Sequence, residues 1–439
     1  MRYIPNTDAD REQMLSAIGR FSMEELFSDI PQLVKDRFQP LGISSKSELE
    51  VRTKLASLTQ KNAAASALSF LGGGIYDHYI PSVVQHITSR SEFYTAYTPY
   101  QPELSQGTLT AMFEFQTLIC ELTGMEVANS SMYDGATALA EAAMMAARVT
   151  GNRKIAVSLA LFAHYRRVLD TYCWASGIEI VDIPTVDYRC DFSHVPSDVG
   201  GVIVQSPNAF GVIEDLADVK EAIGNALMIV AVNPVSLSIL TPPGEFGADI
   251  VTSEGQPFGL PPSFGGPLLG LFATRKAYLR QMPGRLVGQT VDADGKVGYT
   301  MAAQTREQHI RRQKATSNIC TNAQLCALTA TVYLASLGGD GLRDLAMLNL
   351  EKAHYMAQQL SDLPGCSLLC DAPFFNEFVL RVPVDPKRIR DGLRVEEILV
   401  DDPAQMEALG VTEALRFAVT EKRSKEELDR TVDLVGRML

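Results

Sequence analysis

No run in this 439-residue chain approaches the roughly 18–20 consecutive apolar residues of a membrane-spanning helix. The opening residues, Met1-Arg2-Tyr3-Ile4-Pro5-Asn6-Thr7-Asp8, are polar and lack the apolar core of a signal peptide, so no leader is expected. An excess of cations is also missing. The chain has 39 Lys and Arg against 52 Asp and Glu, a net charge of −13. Binding to nucleic-acid phosphates needs concentrated Lys and Arg, which only residues 306–314 supply. The seven cysteines show no CxxC pairing and are odd in number, which speaks against a disulfide framework and for a reducing cytosol. His78, His86, His164, His194, His309 and His354 include no HExxH or i, i+4 pair, so no metal site is expected. Neither a GxSxG elbow nor a Walker loop is present, and Gly72-Gly73-Gly74 does not fit GxGxxG and reads as a turn.

What remains is an apolar globular chain, 46 % hydrophobic and only 21 % charged, with ample material for a large core and a second small domain. Residues 1–65 read as short helices and loops, an arm too thin in core residues to fold alone. Thr7 is a candidate helix cap, and Ser22 with Glu25 repeats the capping-box spacing. Residues 66–330 alternate between apolar strands (154–157, 178–183, 201–205, 227–232) and helical stretches (137–149, 163–175, 214–223). Strand–helix alternation of this kind predicts an α/β domain around a mostly parallel sheet buried on both faces. Residues 322–335 predict a helix ended by Gly338-Gly339. Residues 331–439 then read as a small α+β domain: a helix at 344–361, strands at 366–369, 377–381 and 415–419, and a last helix capped by Ser424 and Glu427.

Four segments can carry chemistry. Residues 93–103 (FYTAYTPYQPE) place Tyr94, Tyr97 and Tyr100 three apart, and Pro99 and Pro102 exclude a regular helix. An extended loop presenting phenols and Glu103 suits a small polar substrate, and equally an aromatic loop packed on a subunit interface. Residues 130–138 run a small polar loop into an Ala-rich helix. Helix N-terminal amides favour anions, but Asp134 can occupy them as an N-cap. Residues 247–259 end a strand in a Gly- and Pro-rich loop, either a functional edge or a surface connection. Residues 305–319 (TREQHIRRQKATSNI) form either a solvated basic face or a phosphate cradle built from Lys314, Ser317 and Asn318.

Taken together, FYTAYTPYQPELSQG, MYDGATALAEA, QSPNAFGVIEDL, TREQHIRRQKATSNICTNAQ and the closing LRFAVTE resemble the glycine-cleavage-system P-protein family, and the similarity runs over nearly the whole chain. The length is that of the first of two chains into which some bacteria split that protein. The resemblance implies the fold of type I pyridoxal-phosphate (PLP) enzymes, with a seven-stranded α/β large domain and a small α+β domain. In such enzymes a lysine after a strand holds PLP covalently, and an upstream aspartate pairs with its ring nitrogen. Here Gln256 stands near the lysine's place, and Asn233 ends the strand where the aspartate is expected. The nearest lysine, Lys276, follows the next strand.

The family's active sites lie at a subunit interface, so the resemblance implies divided labour. A second subunit would carry PLP on its lysine, and this chain would supply the facing wall. That wall would comprise Tyr94, Tyr97 and Tyr100, with Ser317, Asn318 and Lys314 near the cofactor phosphate. Arg311 and Arg312 suit a substrate carboxylate or an intersubunit ion pair. The implied reaction is decarboxylation of glycine and transfer of the aminomethyl group to the lipoyl arm of the H-protein, in a cytoplasmic heterotetramer without nucleic-acid or membrane partners. Two other readings stand beside it: a non-catalytic scaffold or regulator of the PLP subunit, and a stand-alone homodimeric PLP enzyme using another lysine.

Overall fold

The computed structural model describes residues 5–39, 41–217, 219–320 and 322–439. Met1–Ala65 and Ser66–Leu439 are two compact units.

The first unit carries helices at Asp8–Ala17, Gln32–Arg37 and Glu48–Thr59, two of them opened by capping boxes at Thr7 and Ser47. Ser22 caps a 3₁₀ turn at Met23–Phe27. Among its described residues only Leu15 is buried, while Phe21, Phe38, Leu41 and Ile43 are exposed.

A seven-stranded sheet organises the second unit. Its strands are β1 (Val127–Ala128), β2 (Lys154–Ser158), β3 (Glu179–Ile183), β4 (Gly201–Ser206), β5 (Leu227–Val232), β6 (Ile250–Glu254) and β7 (Gly270–Thr274). They lie in the order β1-β7-β6-β5-β4-β2-β3, with β7 antiparallel to both its neighbours and the run β6-β5-β4-β2-β3 paired in parallel throughout. Continuous apolar runs were the signal for strands covered on both faces. β5 bears this out, sending Met228, Val230 and Val232 into one core and Leu227, Ile229 and Ala231 into the other. On the second face α2 (Gly135–Thr150) packs its alanines against the sheet so closely that a Cβ on Gly201 would stand 3.0 Å from that of Ala146. The first face is covered by α1 (Gln106–Thr123) and by the first half of α3 (Gln324–Ser361).

One expectation fails locally. Residues 214–223 are helical only at Val219–Ala222 among the described residues. Glu214 is drawn inside, where its carboxylate accepts from Cys190 N–H (3.1 Å) and the Asn208 side-chain amide (2.7 Å). At Gly338 (φ 64°, ψ −176°) the helix breaks as expected, and the second helix starts at once, earlier than residue 344, so α3 runs to Ser361 as two helices. By overall length and mean composition α3 could cross a membrane, although it holds no unbroken apolar run of that length. It is a core element here, burying Tyr333, Leu334, Ala346, Ala353 and Met356.

Three antiparallel strands, Ser367–Leu368, Glu377–Arg381 and Ala414–Ala418, form a small sheet with helices Pro386–Val395 and Lys425–Met438. Residues 68–79 run as a strap between this lobe and the main sheet. Leu68 and Ser69 pair with Ile398 and Leu399, and Tyr76 is bound through both its backbone groups to Gln256 beyond β6. Farther along, the Glu421 carboxylate accepts from Tyr79 N–H (2.5 Å) and pairs with His78 (2.8 Å). Although burial opposes it, these partners hold the Glu421 pKa down at about 2. A depressed carboxylate stabilises the fold above its unfolded pKa and loses that contribution as pH falls towards the folded value. We expect about 2 kcal/mol of unfolding free energy to be lost between pH 6 and pH 3 through this group, and Glu421→Gln to flatten that slope in urea titrations.

Candidate functional site

Two places deserve separate description: the cleft beyond the carboxyl ends of β5 and β6, where α/β sheets expose function, and the loop face around residues 93–104.

The cleft is full. The Gln256 side chain, 0 % exposed, donates to the carbonyls of Tyr76 (2.9 Å) and Leu260 (2.6 Å) and accepts from Tyr76 N–H (2.9 Å). The Tyr76 hydroxyl donates to Glu377 (3.0 Å), whose carboxylate also accepts from Gly73 N–H (2.6 Å). Arg416 faces both Glu377 (3.8 Å) and Asp401 (2.6 Å) and lies over the Phe162 ring. Burial works against the Arg416 charge, but the two carboxylates outweigh it and its pKa is raised. Burial and the neighbouring Arg416 push His164, stacked on Phe162, down to about 4, so it is neutral at pH 7.

At the start of α2, Asp134 is the N-cap, accepting from Thr137 N–H (2.8 Å). The remaining free amide there is taken from inside the chain. Glu254, at the end of β6, accepts from the N–H groups of Gly135 (2.9 Å), Gln256 (2.9 Å) and Leu269 (3.0 Å). Burial pushes its pKa up to about 8, and the three N–H donors, which favour the ionised form, limit that rise. Asn233 turns back on its own loop, accepting from Val235 N–H (3.0 Å) and donating to Asn376 (3.3 Å). The space left among Tyr76, Phe162, Tyr165, Asn233 and Glu254 is about 20 Å³, enough for roughly one water molecule.

The loop face is open instead. Residues 91–94 form one short helical turn, after which the chain is irregular up to a 3₁₀ turn at Pro102–Leu104, as the two prolines require. Tyr94, Tyr97 and Tyr100 are 68 %, 74 % and 52 % exposed. Residues 305–320 fold back beside them: the Tyr100 ring meets His309 edge-on at 6.0 Å, and Cys320 N–H donates to the Tyr133 hydroxyl (3.0 Å). Asn322 donates to the Ser131 carbonyl (2.7 Å), tying residues 129–133 to the same face. Three of the four segments singled out in the sequence are thus brought together, while residues 247–259 close the cleft. Lys314, Asn318, Arg311 and Arg312 are exposed. Ser317 is buried, and its hydroxyl donates to Glu141 (2.6 Å).

Residues 1–435 match the family model described as glycine cleavage system P-protein. The chain belongs to the P-protein family. It is 48 % identical to the probable glycine dehydrogenase (decarboxylating) subunit 1 of Desulfitobacterium hafniense, each covered over its full length. With the protein of the same description from Bacillus cereus the identity is 50 %, over 99 % of both chains. Among solved structures, a glycine decarboxylase (P-protein) of the glycine cleavage system in inhibitor-bound form superposes with a TM-score of 0.93 at 43 % identity over 100 % of both chains. A glutamate decarboxylase of Lactobacillus brevis (TM-score 0.67, 16 % identity, 92 % and 96 % coverage) shares the fold alone. The fold is that of type I PLP enzymes, as the resemblance implied.

Within this P-protein chain the residues of the cleft do not fit PLP. Gln256 has no amine to bind it, Asn233 carries no charge for a ring nitrogen, and Glu254 already holds the amide a phosphate would use. Lys276 is no substitute. It follows β7, whose end Thr274 pairs with Ile250 at the start of β6, the opposite edge of the sheet from Gln256. Sequence reading singled out Gln256 and Asn233 but missed Glu254, Arg416 and Arg285. The available signal was a charged residue inside an otherwise apolar strand or directly before one, as in Leu415-Arg416-Phe417 and Arg285-Leu286-Val287.

Proposed function

We propose that this chain is the first subunit of a two-subunit glycine decarboxylase and forms one wall of an active site whose PLP is held by the partner's lysine. One observation carries the proposal: the aromatic loop on which the chain resembles the family is exposed, whereas the cleft beyond β5 and β6 is filled by the chain's own side chains. A protein that had merely lost activity would have no reason to retain the first.

In this reading PLP in the partner subunit supplies the electron sink for breaking the glycine carboxylate bond, and the aminomethyl group passes to the lipoyl arm of the H-protein. This chain's part is to bind, orient and exclude water. The exposed rings of Tyr94 and Tyr97 cover the substrate carboxylate, whose desolvation favours loss of CO2. Their hydroxyls and that of Tyr100 orient the amino acid. Lys314 and Asn318 face the partner's phosphate. Ser317 acts from behind, through its bond to Glu141. Arg311 and Arg312 supply the guanidinium groups for an intersubunit ion pair. The assembly is a cytoplasmic pair of heterodimers, a location supported by seven free cysteines.

The test is reconstitution. Incubated with PLP, the purified chain should stay colourless and inactive, and CO2 release from glycine should appear only when the lysine-bearing subunit is added. Tyr97→Ala is expected to lower kcat/KM about 10–100-fold in an assembled complex. Unchanged turnover would leave the chain a scaffold, and a coloured, active chain on its own would make it a stand-alone enzyme.

A further inference from the structure

The loop face has a buried centre that belongs to none of the four segments. Arg285, 2 % exposed, precedes the hairpin strand Leu286–Val291. Its Nη1 donates to the Thr98 hydroxyl (3.1 Å), its guanidinium carbon lies 5.8 Å from the Tyr100 ring centroid, and its Nε is 3.6 Å from the Glu307 carboxylate. Its own carbonyl accepts from Ser130 N–H (2.8 Å). Glu307 is in turn 3.5 Å from the His309 ring, which meets Tyr100 edge-on. One guanidinium therefore touches the aromatic loop in two places and the root of the 307–318 segment in a third.

We propose that Arg285 is a positioning residue that holds the tyrosine loop and the 307–318 segment in one register, so that the two move as a unit. The proposal deepens the shared-site reading and rests on it. The rigid planar fork is what the geometry uses: one edge takes a hydroxyl, the other a carboxylate, while the face lies under a ring. A lysine ammonium reaches one of these groups at a time. Tyr94 and Tyr97 are 68 % and 74 % exposed, so the anchored residues 98–100 that follow contribute to their placement.

The test compares Arg285→Met, Arg285→Lys and Thr98→Val, with Tyr97→Ala as the reference for the shared site. Hydrogen exchange on the isolated chain should show the amides of residues 94–103 and 307–318 exchanging about 10-fold faster together in Arg285→Met, with β5 unchanged. Thr98→Val, which keeps the guanidinium, should loosen residues 94–103 alone. In the complex with the lysine-bearing subunit, Arg285→Met should raise KM for glycine about 10-fold and change kcat less, and Arg285→Lys should recover part of that loss. Exchange that rises in only one segment, or equally in β5, overturns the coupling. So does normal turnover in Arg285→Met when Tyr97→Ala is impaired. Should Tyr97→Ala also turn over normally, the shared-site reading falls, and the exchange data alone still decide whether Arg285 couples the segments.

Discussion

Arg416→Met is expected to lower the unfolding free energy by about 3–5 kcal/mol, the cost of leaving buried carboxylates without their counter-charge. The side chains of Arg416, Glu377 and Asp401 are all less than 10 % exposed. The arginine also donates to the Ala209 carbonyl (3.2 Å), so it binds the loop after β4, the strap and the small sheet at one point. Urea titrations should show a lower midpoint at unchanged slope. Neutralising the acids in the same background, with Glu377→Gln and Asp401→Asn, should recover much of the loss. Carboxamides need no counter-ion, and buried pairs exchanged as a set are often neutral in stability. A loss below about 1 kcal/mol for Arg416→Met alone would show that water reaches the cluster and relieves it.

The same cluster marks the boundary of what the sequence discloses. β4 and β5 were legible because a strand covered on both faces must be apolar at every position, a one-dimensional signal. The caps at Thr7, Ser424 and Asp134 were legible because a cap's partner lies within a few residues. Glu214 misled for the opposite reason. Its helical propensity is local, but the Cys190 amide and the Asn208 side chain that draw it inward are set by the fold. Glu254 is a sharper case, since a glutamate closing an apolar strand carries no mark that an amide 119 residues earlier will meet it. Family resemblance pointed to the Tyr94, Tyr97 and Tyr100 loop and to Asn233 and Gln256. What it could not supply was the reason the altered cleft remains stable, which lies in Tyr76, Glu254 and Glu377 meeting from three distant segments.

Placing a lysine at position 256 should therefore not make the chain bind PLP. Gln256→Lys, alone or with Asn233→Asp, is expected to give no visible imine absorbance with PLP and to destabilise the fold by about 2–4 kcal/mol. An ammonium at position 256 can still donate towards the carbonyls of Tyr76 and Leu260. It cannot accept from Tyr76 N–H, which is left buried without its partner. The pyridine ring fares worse, because the space beside Asn233 and Tyr165 is about 20 Å³, and a phosphate would have to displace the Glu254 carboxylate from Gly135 N–H. Enlarging Gly135 does not help either, since a Cβ there would lie 2.2 Å from the Tyr165 hydroxyl. The decisive measurement is borohydride reduction after PLP incubation, followed by peptide mapping: label on position 256 at near-stoichiometric yield would mean that the strap opens readily and that the cleft is only shut, not filled. Label confined to exposed lysines, together with a lowered urea midpoint, is the outcome that the packing around Gln256 requires. It would mean that the amide a phosphate needs and the position a lysine needs are both held here by groups of the chain itself.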